Sequence, residues 1–266
     1  MPMPTSRPAL ALVVLMIFLL GSVTTGCASF GGTPPASLDE ETWDPVEPFN
    51  RAMFSFNEKL DQWLLKPVAK GYDWALPGAV KQGIGNFFSN LLQPRVIVND
   101  LLQGKLAQSG RDTGRFLLNS TLGILGFVDV AKFAGLEPME EDWGQTFAVW
   151  GMSDGPYFVW PILGPRYARD TLGSGFDWLS NPVTYVEPPA AGWGLWGLDI
   201  VDARARFLPA EKVLEQAMGE DKYIFIREAY RQRRRNLIYD GNPPKPAFIE
   251  DEVESTPPKP APASNP

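Results

Sequence analysis

Between residues 43 and 241 the apolar side chains recur at helical spacing, and this period limits what the chain can become. Phe49, Ala52, Met53, Phe56, Leu60, Trp63 and Leu64 follow i, i+3, i+4, i+7 intervals and share one face. Asp44-Pro45 ahead of them is a start signal and Lys66-Pro67 a stop. A second amphipathic stretch carries Val80, Ile84, Phe87, Phe88, Leu91 and Leu92 and is expected to end at Pro94. A third covers residues 96–106. A fourth runs from Ser109 into Leu125 and is charge-poor after Arg115. The last strong helix is expected over residues 222–237, with Tyr223, Ile226, Tyr230 and Leu237 on its apolar side. One interval breaks the period. Two aromatic, β-branched runs, residues 143–151 and 157–161, flank Ser153-Asp154-Gly155-Pro156, a turn sequence. A short hairpin or irregular loop is expected there. The expected fold class is mainly α.

The first residues stand outside this fold. Arg7 is followed by an apolar run from Ala9 to Leu20, then by small residues up to Gly26 and Cys27. That is the order of a secretory signal peptide, and the run is shorter than the ~20 residues of a spanning helix. Cys27 is the only cysteine, so no intramolecular disulfide is open to it. The bland alternative is a leftover thiol. Its place at the cleavage point instead marks a lipobox, with Gly26 before the cut and Thr24 where Leu is usual. Lipid attachment at Cys27 then anchors the chain, at ~0.8 kcal/mol per buried methylene. Ala28 follows, and without Asp in that position delivery to the outer membrane is expected. The expected division is a signal peptide over 1–26, a lipidated flexible tether over 27–42, a helical domain over 43–241 and a disordered Pro-rich acidic tail over 242–266.

The chemical inventory is sparse. There is no histidine, which removes His-based triads, His general bases and almost every zinc site. No second cysteine is present for a thiolate cluster, so no metal or cofactor is expected. The net charge of −7 makes nucleic acid a poor partner. Glu140-Glu141-Asp142 is the densest acidic run, and adjacent carboxylates rarely face each other across a substrate, so a solvated loop or helix N-terminus is expected. Gly83-Ile84-Gly85 lacks the third glycine of a dinucleotide fingerprint. Arg227, Arg231, Arg233, Arg234 and Arg235 form the clearest charge cluster. It is either a solvated face paired with acids such as Glu228, or a contact for anionic headgroups or an acidic partner, since guanidinium suits phosphate geometry. Nine Trp and sixteen Phe are many for this length, and Trp is favourable at a bilayer interface. No charge-free run after the signal reaches spanning length, so the helices fit either a soluble core or an interfacial position.

Longer motifs go further. Asp44-Pro45-Val46-Glu47-Pro48-Phe49-Asn50-Arg51-Ala52-Met53-Phe54-Ser55-Phe56-Asn57 resembles the opening motif of the MlaA (VacJ) lipoproteins. The resemblance continues through Arg115-Phe116-Leu117-Leu118-Asn119-Ser120-Thr121-Leu122-Gly123 and Gly126-Phe127-Val128-Asp129. It resumes at Gly155-Pro156-Tyr157 and Leu163-Gly164-Pro165, and closes with Tyr223-Ile224-Phe225-Ile226-Arg227-Glu228-Ala229-Tyr230-Arg231. It implies a ring-like assembly of amphipathic helices embedded in the inner leaflet of the outer membrane. Through its channel, mislocalised outer-leaflet phospholipid would pass to a soluble periplasmic carrier, with a trimeric porin as companion and no enzymatic step. Within that picture Phe49 and Asn50, at the start of the first helix, are channel or gating candidates; simple packing of the helix end is the alternative. Two other functions stay open on the residues alone: a lipid-acting hydrolase, against which the missing His and Gly-x-Ser-x-Gly elbow argue, and a structural tether, which needs fewer amphipathic segments.

Overall fold

The computed structural model describes residues 44–219 and 221–244. The expected signal peptide, the tether with Cys27 and the tail from residue 245 onward lie outside the described residues.

The first helix, α1 (Glu47–Leu60), starts where the sequence places it, with Pro48 in its first turn, where a missing N–H costs nothing. It does not stop at Lys66-Pro67. The chain widens into a π-helical turn, Asp61–Leu65, closed by the Lys66 N–H bonding the Asp61 carbonyl, and continues as α2 (Lys66–Ala75). Pro67 thereby falls in the first turn of α2, and the wider turn makes room for its ring. The second expected stop is also overrun: α3 (Gly78–Leu102) passes through Pro94 and absorbs most of the third stretch. A proline costs one bond in a long helix, and here packing against several neighbours outweighs it. The true stop is Gly104. It takes φ +78°, and the next N–H, that of Lys105, bonds back to the Asp100 carbonyl, a glycine-ended helix terminus. Helix α4 (Leu106–Thr121) follows.

Residues 143–151 are not a strand. Trp143–Val149 is a helix, α5, capped by the Asp142 carboxylate, which accepts the Gln145 N–H. Its aromatics recur at four and three residues, and Trp143 and Phe147 both pack on Phe176. The hairpin lies one run later, β1 (Tyr157–Trp160) against β2 (Gly164–Tyr167), antiparallel, with Trp160 opposite Gly164. Its turn is Pro161-Ile162-Leu163, not residues 153–156, and Gly164 supplies the left-handed residue at φ +75°. Then come α6 (Ala168–Leu179), α7 (Pro189–Ala217) and α8 (Lys222–Ile238). The body is mainly helical, and the contacts between its elements close a circuit: α1, α2, α7, α3, α5, α8, β2, β1 and α1 again.

Candidate functional site

The interior mixes one largely aromatic cluster, Tyr157, Val159, Tyr167 and Tyr223, with a larger set of polar groups. Among the described residues the buried set holds more polar or charged side chains than apolar ones, while Trp63 and Trp74 are 85% and 89% exposed. Several of the buried polar groups are held by partners that the chain motifs supply. Asn50 donates to the Tyr157 carbonyl at 3.0 Å and accepts from the Val159 N–H at 2.8 Å. Two turns on, Asn57 repeats the pattern with the Trp160 carbonyl and the Ile162 N–H, both at 2.8 Å. Seven residues of helix rise about 10 Å, and three residues of strand advance about 10 Å, so the two amides meet the free edge of β1 in step. Asp44 closes the same corner, accepting from Asn50, Tyr223 and Arg227. Arg115 and Asn119 both bond Asp129 and so fold back the segment after α4.

The arginine cluster divides. Arg227 and Arg234 are buried, so neither lies on a solvated face. Arg234 grips Asp142 at 2.5 and 2.8 Å and Asp170 at 2.9 Å. Burial pushes the Asp142 carboxyl up, but the Arg234 hydrogen bonds and charge override that and hold it at about 2. Gly144 lets this guanidinium approach, since a Cβ there would stand 2.5 Å from its Nη2. Arg231 pairs with Glu228 at 2.7 Å, Arg233 with Glu140 at 2.5 Å, and Arg235 donates to the Pro244 carbonyl. The acidic run is likewise split: Glu140 is exposed, whereas Glu141 is buried against Lys105 at 2.8 Å. Phe49 is 46% exposed and Asn50 fully buried.

One cavity, of about 360 Å³, opens between α1, the π-helical turn, the hairpin, α7 and α8. That is the small end of the ligand-pocket range, about 300–1,000 Å³. Phe54, Val159, Phe207, Leu214 and Ile226 give it an apolar lining. Across them runs a chain of ions: Arg204 holds Asp61 at 2.7 and 2.9 Å and Glu211 at 2.7 Å, and Glu211 also takes Lys66 at 3.1 Å. The cavity is lined by Asn57 but by neither Phe49 nor Asn50. Sequence reasoning passed over Arg204 and Glu211, although their spacing of seven on one helix put them on one face. Among the described residues no group of carboxylates and sulfur or imidazole ligands is placed to hold a metal ion.

Buried polar networks, many large apolar side chains on the exterior and an amphipathic cavity define the class: a mainly helical protein with a partly polar core. No helix among the described residues is long and apolar enough to cross a membrane. The chain belongs to the MlaA lipoprotein family, whose model matches residues 42–237. It is 34% identical over 229 residues to the intermembrane phospholipid transport system lipoprotein MlaA of Escherichia coli K12, covering 85% of this chain and 88% of that one. The Haemophilus influenzae protein of the same name is 30% identical over 240 residues, covering 86% and 91%. A solved chain described under "Structural basis for maintenance of bacterial outer membrane lipid asymmetry" superposes with a TM-score of 0.65 at 35% identity, covering 75% of this chain and 99% of that one.

Proposed function

We propose that this protein is a phospholipid-transport lipoprotein that removes mislocalised phospholipid from the outer leaflet of the outer membrane and so maintains lipid asymmetry. Lipid on Cys27 anchors it, and the body sits in the inner leaflet. A trimeric porin stands beside it, and a soluble periplasmic carrier receives the lipid. The role is non-enzymatic: the protein offers a passage and forms no bond with its cargo. The observation that carries this reading is the inverted distribution of polarity. Polar and charged side chains outnumber apolar ones in the buried set of the described residues, many large apolar side chains face outward, and the cavity beside α1 and α7 combines ions with apolar walls. In water such a surface would forgo roughly 1.5–3 kcal/mol for each large side chain left unburied; acyl chains remove that cost.

The test narrows the cavity without touching the ions. Leu214 lines it and is half-buried. In cells lacking their own family member, Leu214→Trp is expected to reach the outer membrane at the wild-type level yet leave phospholipid in the outer leaflet, with sensitivity to detergent and chelator. A variant present at normal level with fully restored asymmetry would sink the assignment of this cavity as the passage.

A further inference from the structure

The charges in the cavity are mixed in a way that selects among headgroups. Besides the chain that joins Lys66, Glu211, Arg204 and Asp61, Glu58 and Lys222 pair at 2.9 Å across its wall. Glu215 adds a carboxylate beyond these pairs, so among the described residues the lining holds four carboxylates against three cations. Arg204 spends Nε and Nη2 on carboxylates and keeps Nη1 buried with no acceptor. A lipid phosphate that reached this nitrogen would supply the missing acceptor. The phosphate of a net-anionic lipid, however, brings a negative charge into a lining that already has one in excess. The Arg204, Asp61, Glu211 and Lys66 charges are partly covered and weakly screened, whereas Glu215 is exposed, which limits its effect to a modest factor. A headgroup that carries its own ammonium cancels its phosphate and offers a cation to the surplus carboxylate.

We infer that this cavity takes zwitterionic phospholipid headgroups, an ammonium linked to a phosphate, in preference to net-anionic ones. The inference rests on the transport reading above and names its cargo. A single uncompensated charge at such distances is worth on the order of a few-fold in occupancy.

Photocrosslinking reads it directly. Phe207 lines the cavity. The full lipidated protein, with Phe207 replaced by a photoreactive benzophenone amino acid, is placed in vesicles of equal phosphatidylethanolamine and phosphatidylglycerol. The captured lipid is identified by mass spectrometry. Phosphatidylethanolamine is expected at about threefold or more over phosphatidylglycerol. Glu215 is exposed, so Glu215→Lys leaves the fold intact, and with the excess charge now positive the ratio is expected to turn towards phosphatidylglycerol. Equal capture, or an excess of phosphatidylglycerol in the wild type, would overturn the headgroup inference while leaving the passage in place. A wild-type preference that Glu215→Lys does not move would overturn it too, since charge would not be the cause. Capture of neither lipid would overturn the transport reading itself.

Discussion

At the scale of single residues, two aspartates, Asp100 buried and Asp142 half-buried, set opposite responses to pH. No donor reaches either oxygen of Asp100, and Asp112 lies within hydrogen-bond reach of it. Burial first, then the charges of Asp112 and Glu141, push its carboxyl up to about 7 against the nearby Lys105. In the unfolded chain it titrates near 3.9. The folded state therefore binds this proton more tightly, and the stability it contributes is full below about pH 4 and lost as pH rises towards 7. Asp142 behaves the other way. Arg234 holds it at about 2, so its contribution is present above about pH 4 and lost as pH falls towards 2. Thermal unfolding is thus expected to move to higher temperature between pH 8 and pH 5 and to fall again below pH 4. Asp100→Asn removes the buried charge but keeps the shape, and is expected to stabilise the protein at pH 8 by about 1–3 kcal/mol while flattening the pH 5–8 limb. A variant less stable than wild type at pH 8, or one that keeps the full slope, would contradict the assignment. Neither fate is legible in the sequence, where both are aspartates in polar company. The difference is the arginine that α8 brings to one of them.

At the scale of elements, the helical period identified the first helix, the last one and the amphipathic stretch within α3, because apolar spacing records which face is covered whatever covers it. It failed at the ends. Pro67 and Pro94 read as stops because local chemistry makes them so, and both are overridden by neighbours remote in sequence. It failed again over residues 143–149, where β-branched and aromatic composition outvoted a spacing of four and three. The opening motif was recognised as a pattern, but its mechanics needed the fold: Asn50 and Asn57 replace a missing neighbour strand at the edge of β1. Phe49 and Asn50 are gating candidates through their place at the proline-stiffened start of the first helix; a helix turns 100° between them, and Asn50 is buried while Phe49 is 46% exposed. Asn50→Ala would leave a buried carbonyl, a buried N–H and one oxygen of Asp44 short of a partner, and is expected to cost about 2–4 kcal/mol in denaturant unfolding. Asn57→Ala serves a more open end of the strand, where Ile162 is 63% exposed, and is expected to cost about 1 kcal/mol. Equal losses would mean that the two amides do not differ in burial as described.

At the scale of the whole molecule, the distribution of tryptophan makes the bilayer position measurable. Trp63, Trp74, Trp150, Trp178 and Trp193 are exposed, whereas Trp143 and Trp160 are half-buried and bond Ser180 and Thr171. Composition alone left core and interface equally open, because a helix facing acyl chains and a helix facing a core need the same stripe. What would separate them is whether lipid lies against the stripe; the packed elements put polar networks inward and large apolar side chains outward. If the outward face lies in acyl chains, lipids brominated along those chains will quench the exposed indoles on contact and spare the inner ones. Variants that retain one Trp each, reconstituted with the lipid anchor, report the positions separately. Trp63 and Trp74 stand on the continuous α1–α2 rod, roughly 16 Å apart along the helix at 1.5 Å per residue. Bromines at one depth are expected to quench both if the rod lies in the membrane plane, and one much more than the other if it is inclined. Trp160, by contrast, is expected to respond weakly at every depth. Strong quenching of Trp160 together with none at Trp63 and Trp74 would place the lipid inside the circuit and water outside it, and the proposed orientation of the body would have to be abandoned.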